Sequence, residues 1–196
     1  MDSLNHALFL ALNAGATPPA WLVTFAIVAA KALIGLVPLH MVLVWAGGDR
    51  VLRFVVLSAG LALVLALGVN QFVGAVAYVP RPFLIGLGHT LIDHRPSSSL
   101  PSNHASVFFT YAATLAVYGR GRLAATVAGL GLVVAWARIY LGVHFPFDMA
   151  AAAVVSAVAA PAAVWILVRA QRFRPGAVAA LLALPRMPRP SPEAGA

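Results

Sequence analysis

The sequence predicts an all-α integral membrane protein, a bundle of about five transmembrane helices preceded by a short N-terminal interfacial helix. Three observations predict it. Of 196 residues, 62% are hydrophobic and only 9% charged, too little charge to solvate a soluble domain of this size. Several apolar stretches reach the ~20 residues that cross a bilayer core. Most basic residues flank those stretches, as they do where they face anionic lipid.

Residues 3–14 are apolar but interrupted by Asn5, His6 and Asn13. They are too few to span, and read as an interfacial helix before the Thr17-Pro18-Pro19 break. A first span runs from about Trp21 to Trp45 and carries Lys31, the only lysine. Gly47-Gly48-Asp49-Arg50 turns the chain, and a second span covers roughly Phe54 to Val79, stopped by Pro80-Arg81-Pro82. Residues 80–101 form a polar loop rich in Pro, Ser and His. The third span starts near Ser102 and ends at Gly119-Arg120-Gly121-Arg122. The fourth covers about Leu123 to Leu141, and the fifth runs from near Pro146 to around Val168. Residues 1–174 thus make one membrane-embedded domain. Residues 175–196, a short apolar piece and then a Pro- and Arg-rich stretch, read as a disordered cytoplasmic tail. There is no internal repeat.

Threading five spans puts Arg50, Arg53, Arg120, Arg122, Arg169, Arg172, Arg174, Arg186 and Arg189 on one side, and Arg81, Arg95 and Arg138 on the other. By the positive-inside rule the nine are cytoplasmic. The other face is extracytoplasmic, periplasmic in a bacterium with two membranes. The N-terminus lacks the positive segment of a cleavable signal peptide.

Composition also excludes chemistries. With no cysteine there is no disulfide, thiolate metal site or cysteine nucleophile. Five acidic residues are few for a multinuclear metal centre, so neither metal nor cofactor is expected. A net charge of +8 in so apolar a chain points to lipid headgroups as partners, not nucleic acid.

The extracytoplasmic face gathers nearly every reactive side chain. Arg81 follows the second span, Ser102, Asn103 and His104 open the third, Arg138 closes the fourth, and His144 and Asp148 open the fifth. Ionisable groups at membrane depth are costly and mark functional sites. Two arginines from different helices suit a phosphate. A helix N-terminus with free N–H groups and the Ser102 hydroxyl adds donors. His144 and Asp148 are four residues apart. A carboxylate on Nδ1 leaves Nε2 as a nucleophile, and His104 on another helix can protonate a leaving oxygen.

Pro80-Arg81-Pro82, Pro101-Ser102-Asn103-His104 and Arg138-(five residues)-His144-(three residues)-Asp148 resemble the tripartite signature of the type 2 phosphatidic acid phosphatase superfamily. The pattern is most similar to its bacitracin-resistance type of undecaprenyl-diphosphate phosphatase, over roughly residues 4–170. The resemblance implies that His144 forms a phosphohistidine oriented by Asp148 and that His104 serves as acid and then base. It also implies that Arg81, Arg138, Ser102 and the Asn103 N–H hold the phosphate without a metal. Three positions depart from the pattern. Gly74 stands where a lysine is usual, Ala137 where a serine is usual, and Asn103 where glycine, or aspartate in the diphosphatase subgroup, is common. Losing a charged hydrogen bond costs ~1.5–3 kcal/mol, and Lys31 or Arg95 could compensate, Lys31 by turning into the bundle. His89, Asp93 and His94 read as solvated loop residues, His6 and His40 as interfacial or packing residues.

The expected reaction is hydrolysis of undecaprenyl diphosphate to undecaprenyl phosphate and inorganic phosphate. The alternatives are a phosphatase or phosphotransferase acting on phosphatidylglycerophosphate, phosphatidate or lipid A, and a non-catalytic lipid-phosphate binder. The oligomeric state is not legible.

Overall fold

The computed structural model describes residues 2–183. Among them there is no strand. The chain forms α1 (Asp2–Leu12), α2 (Ala20–Lys31), a 3₁₀ turn (Leu33–Gly35), α3 (Leu36–Gly47), α4 (Arg50–Val76), a second 3₁₀ turn (Pro82–Ile85), α5 (Asn103–Val117), α6 (Gly121–Tyr140), α7 (Pro146–Phe173) and α8 (Pro175–Leu182). Four segments are long and apolar enough to cross a membrane: Ala20–Gly47, Arg50–Val76, Gly121–Tyr140 and Pro146–Phe173. The first is not one straight helix, because the 3₁₀ turn divides it into α2 and α3.

The third expected span is α5, and at 15 residues it is about 22 Å long, short of the ~30 Å hydrocarbon core. Its position explains how it manages. α5 packs against α4, α6 and α7, and its buried face includes Phe108, Thr110, Tyr111 and Thr114. Polar groups at that depth must find partners. Thr110 Oγ1 lies 2.9 Å from Ser156 Oγ on α7, and Thr114 Oγ1 donates to the Thr110 carbonyl at 2.9 Å. Small residues let the helices close on it. Ala59, Ala62 and Ala66 of α4 and Ala152, Ala160 and Ala163 of α7 are fully buried. On α6, a Cβ added at Gly131 would sit 2.8 Å from Phe108 Cβ, so only glycine permits that approach.

The helix ends follow from local chemistry. Asp49 caps α4 by accepting from Leu52 N–H at 2.9 Å. Pro146 opens α7, where its missing N–H costs nothing, and Asp148 accepts from Phe145 N–H at 2.8 Å. Gly142 has φ +81°, and the His89 carbonyl stands where its Cβ would go. The α6–α7 turn therefore requires glycine there.

α1 lies across that same turn. Phe9 packs edge-on against Phe145, and the Asn13 carboxamide donates to His89 O and Tyr140 O while accepting from His89 N–H. At the other end of the chain, residues 175–182 form α8 and pack on α4 and α7, with Val178 and Leu182 buried. The start of the expected tail is thus part of the folded body, because its apolar piece has a helix face to cover. The Pro- and Arg-rich stretch expected to be disordered, with Arg186 and Arg189, lies outside the described residues.

Candidate active site

Four segments meet at one end of the bundle: the residues after α4, the start of α5, the end of α6 and the α6–α7 turn. The link between α5 and α7 is direct, since Ser102 N–H donates to the Asp148 carbonyl at 3.2 Å.

His144 is 2% exposed and Asp148 1%. Nδ1 of His144 lies 3.0 Å from Asp148 Oδ2, and Nε2 lies 3.0 Å from an Arg81 terminal nitrogen. A guanidinium can only donate, so Nε2 is the acceptor and the ring proton sits on Nδ1. Burial pushes the imidazole down to about 4. The Asp148 hydrogen bond and charge pull it up, and Arg81 and Arg138 push it further down. The ring is neutral at physiological pH, its Nε2 lone pair turned toward Arg81.

Arg81 is held on every side. Nε donates to Ser97 O at 3.0 Å, one terminal nitrogen to Val143 O at 2.8 Å and to His144, and the other to Ser98 O at 3.0 Å and Ser97 Oγ at 3.2 Å. Burial is the main influence lowering its pKa, opposed by the Asp148 charge. Arg138 presents a contrast. It is 3% exposed, and its Nε and one terminal nitrogen have no hydrogen-bond partner among the described residues. A buried guanidinium with two unpartnered donors is suited to binding an anion through its oxygen atoms.

His104 lies on the first turn of α5, half-buried and close enough for the charges of Arg138, His144, His94 and Arg81 to act on it. Ser102 is fully buried, and its hydroxyl accepts from Ala105 N–H at 3.5 Å as the cap of α5. Asn103 is exposed, and its carboxamide oxygen accepts from Asn70 at 2.9 Å. The sequence-level candidates His144, Asp148, Arg81, Arg138, His104, Ser102 and Asn103 therefore come together.

Two candidates do not join them. Lys31 does not turn into the bundle: it is exposed at the end of α2, where the helix breaks into the 3₁₀ turn. Arg95 is exposed in the loop. Its neighbour His94, read as solvated, is the one that turns inward. It is half-buried, with its ring centroid 6.3 Å from that of His144, and burial lowers its pKa.

Two residues escaped the sequence reading. Ser99 is fully buried; its hydroxyl donates to Asp148 Oδ2 in a short hydrogen bond and lies 3.4 Å from His144 Nδ1. Asn70, in the apolar run of α4, donates to Asn103 Oδ1 and Ser106 Oγ. The signal for Asn70 was a carboxamide inside a span. For Ser99, in a run of three serines, no local signal distinguishes it from its neighbours. Among the described residues no group of three or more His, Cys, Asp or Glu is placed to hold a metal ion.

The family model described as the PAP2 superfamily matches residues 55–172. The chain belongs to the PAP2 superfamily. The matched stretch contains every residue of the candidate site described above. Among PAP2-like relatives, the chain is 36% identical over 149 residues to YbjG of Escherichia coli (strain K12), provisionally named an undecaprenyl-diphosphatase, covering 76% of this chain and 75% of that one. It is 32% identical over 119 residues to the undecaprenyl-diphosphatase BcrC of Bacillus subtilis (strain 168), covering 60% and 61%. In fold it is similar to LpxE of Aquifex aeolicus, with a TM-score of 0.68 at 22% identity over 83% of this chain and 95% of that one. A PAP2-type phosphatidylglycerolphosphate phosphatase from Bacillus subtilis gives 0.54 at 21% identity, over 88% and 89%. The chain thus shares its fold with these two solved structures.

Proposed function

We propose that the protein is a membrane lipid phosphatase that hydrolyses undecaprenyl diphosphate to undecaprenyl phosphate and inorganic phosphate. Membership of the PAP2 superfamily and the names of two relatives support the reaction class and the substrate. The observation that carries the chemistry is the buried Arg138, two of its donor nitrogens unpartnered, whose charge acts on an imidazole with an acceptor Nε2.

The terminal phosphate binds to Arg138 and draws Arg81 away from Nε2 of His144. Nε2 attacks the phosphorus, and the bond to the bridging oxygen breaks. Asp148 stabilises the imidazolium that develops, and His104, which takes up a proton as the anionic diphosphate binds beside it, gives that proton to the departing lipid phosphate. Water then gives a proton to His104 and attacks the phosphohistidine, releasing phosphate and free His144. Both arginines offset the charge of each transition state.

The proposed setting is the bacterial inner membrane with the site outward, because the arginine-rich ends lie on the opposite side of the bundle. The lipid phosphate released there would serve carrier recycling for wall synthesis.

The test is phosphate release from undecaprenyl diphosphate by purified protein in detergent with a chelator present. Release should occur in the wild type and fall by about 10³-fold or more in His144→Ala. Binding of the lipid without turnover would instead support a lipid-phosphate binder, and preferential turnover of a diacyl phosphate would reassign the substrate.

A further inference from the structure

At the end of the bundle opposite the site, the start of α4 and the ends of α5 and α7 meet around a cavity of about 440 Å³. α5 has 15 residues, against 27 in α4 and 28 in α7, so it is too short to fill the space between them along their whole length. α8 lies across the gap, with Val178 and Leu182 buried. The depth of the cavity follows from helix length. α4 and α7 are each about 40 Å long, more than the ~30 Å hydrocarbon core, so their ends reach the headgroups. Arg50 is the first residue of α4, and Gln171 is close to the end of α7. Nearby on α7, exposed Trp165 carries the Arg169 guanidinium 5.4 Å from its ring centroid, a pairing suited to the membrane interface.

The lining is polar in part and apolar in part. Arg50, Gln171 and Tyr118 supply the polar groups, the Tyr118 hydroxyl being fixed 2.7 Å from Ser58 Oγ. Arg53 stands behind the wall: it is buried, donates to the Leu182 carbonyl at 3.1 Å and adds a second positive charge. No carboxylate lines the cavity among the described residues. Asp49, next to Arg50 in the chain, accepts from Leu52 N–H as the cap of α4. Phe54, Val178 and Leu182 line the rest. The volume is many times the ~30 Å³ share of one water molecule. An inorganic anion gains nothing from apolar walls, whereas a lipid phosphate with its acyl-glycerol base uses both kinds of wall.

We infer that this cavity binds the phosphate headgroup of an anionic diacyl lipid from the leaflet at the arginine-rich end of the bundle. Arg50 and Gln171 hold the phosphate, and Phe54, Val178 and Leu182 cover the acyl-glycerol base. The lipid is a bound ligand and not a substrate, since no histidine lines the cavity among the described residues. It ties α8 to α4 and α7 at the end remote from the chemistry. The site stands or falls independently of the phosphatase reading.

The experiment is native mass spectrometry of the full chain released from nanodiscs of equal phosphatidylglycerol and phosphatidylcholine, which counts the lipid retained. The wild type should keep phosphatidylglycerol over phosphatidylcholine by about fivefold. Arg50→Gln and Gln171→Glu should bring that ratio to within about twofold. Arg122→Gln removes the same charge at the same end but outside the cavity, and should leave the ratio near the wild-type value. Arg50 and Gln171 are both exposed, so either variant reports if the other fails to fold. An equal fall in Arg122→Gln would mean general surface charge and overturn the site, as would a wild type without preference. Displacement of the retained lipid by millimolar inorganic phosphate would reassign the cavity to a free anion and overturn the lipid occupant.

Discussion

The two sides of the site hold their arginines in opposite ways. On the loop side, Arg81 spends its donors on Ser97, Ser98, Val143 and His144. On the α6 side, Arg138 is equally buried but has two nitrogens unpartnered. The first arginine is part of the architecture, and the second has donors to offer an anion. Burying a cation without partners is unfavourable, so Arg138 marks where function outweighs stability, whereas Arg81 serves both.

Replacing each arginine by leucine tests this contrast most severely. Both changes should reduce phosphate turnover by about 10²-fold or more. Their stabilities should diverge. Arg81→Leu strands the carbonyls of Ser97, Ser98 and Val143 and should cost about 3–5 kcal/mol. Arg138→Leu removes an uncompensated charge and should be neutral or stabilising by about 1 kcal/mol. Thermal unfolding in detergent reads the difference, and equal destabilisation would break the comparison.

A smaller effect is expected at Ser99, whose hydroxyl shares Asp148 Oδ2 with His144 and the Phe145 N–H. Ser99→Ala should lower kcat about tenfold and leave KM near its starting value, because it loosens the carboxylate that orients the nucleophile without touching substrate. A change confined to KM would count against that role.

Nitrogen NMR on histidine-labelled protein sharpens the loop side. With its pKa pushed down to about 4 by burial, His144 should remain neutral, with the proton on Nδ1, from pH 7 down to about pH 5. The sign follows from the lowered value: protonation begins only as pH approaches about 4, whereas a free histidine charges near 6.5. A His144 resonance titrating near 6.5 would contradict the assignment. The smallest effect is at Lys31, exposed at the end of α2; Lys31→Met should change turnover by no more than about twofold.

The bundle was legible in the sequence because lipid imposes length and apolarity on each span, and prolines and glycines mark the breaks. The site was legible in part. Arg81, His104, Arg138, His144 and Asp148 carry unusual chemistry at segment ends, so they stand out individually. What sequence could not give was direction. Lys31 and Arg95 have the right charge, but α2 turns one outward and the loop turns the other to solvent, while His94 takes the inward position. Asn70 carried a signal, a carboxamide within a span, whereas Ser99 became visible only once folding brought it, 45 positions from His144, into hydrogen-bond range of that residue.

The most direct test of the account is covalent. The protein is mixed with lipid diphosphate carrying a radiolabel in its terminal phosphate and quenched in alkali, where phosphohistidine survives. The account predicts label on His144 in the wild type, more of it in His104→Ala if water attack is slowed, and none in His144→Ala. Steady release of phosphate with no label on His144 under any of these conditions would contradict it.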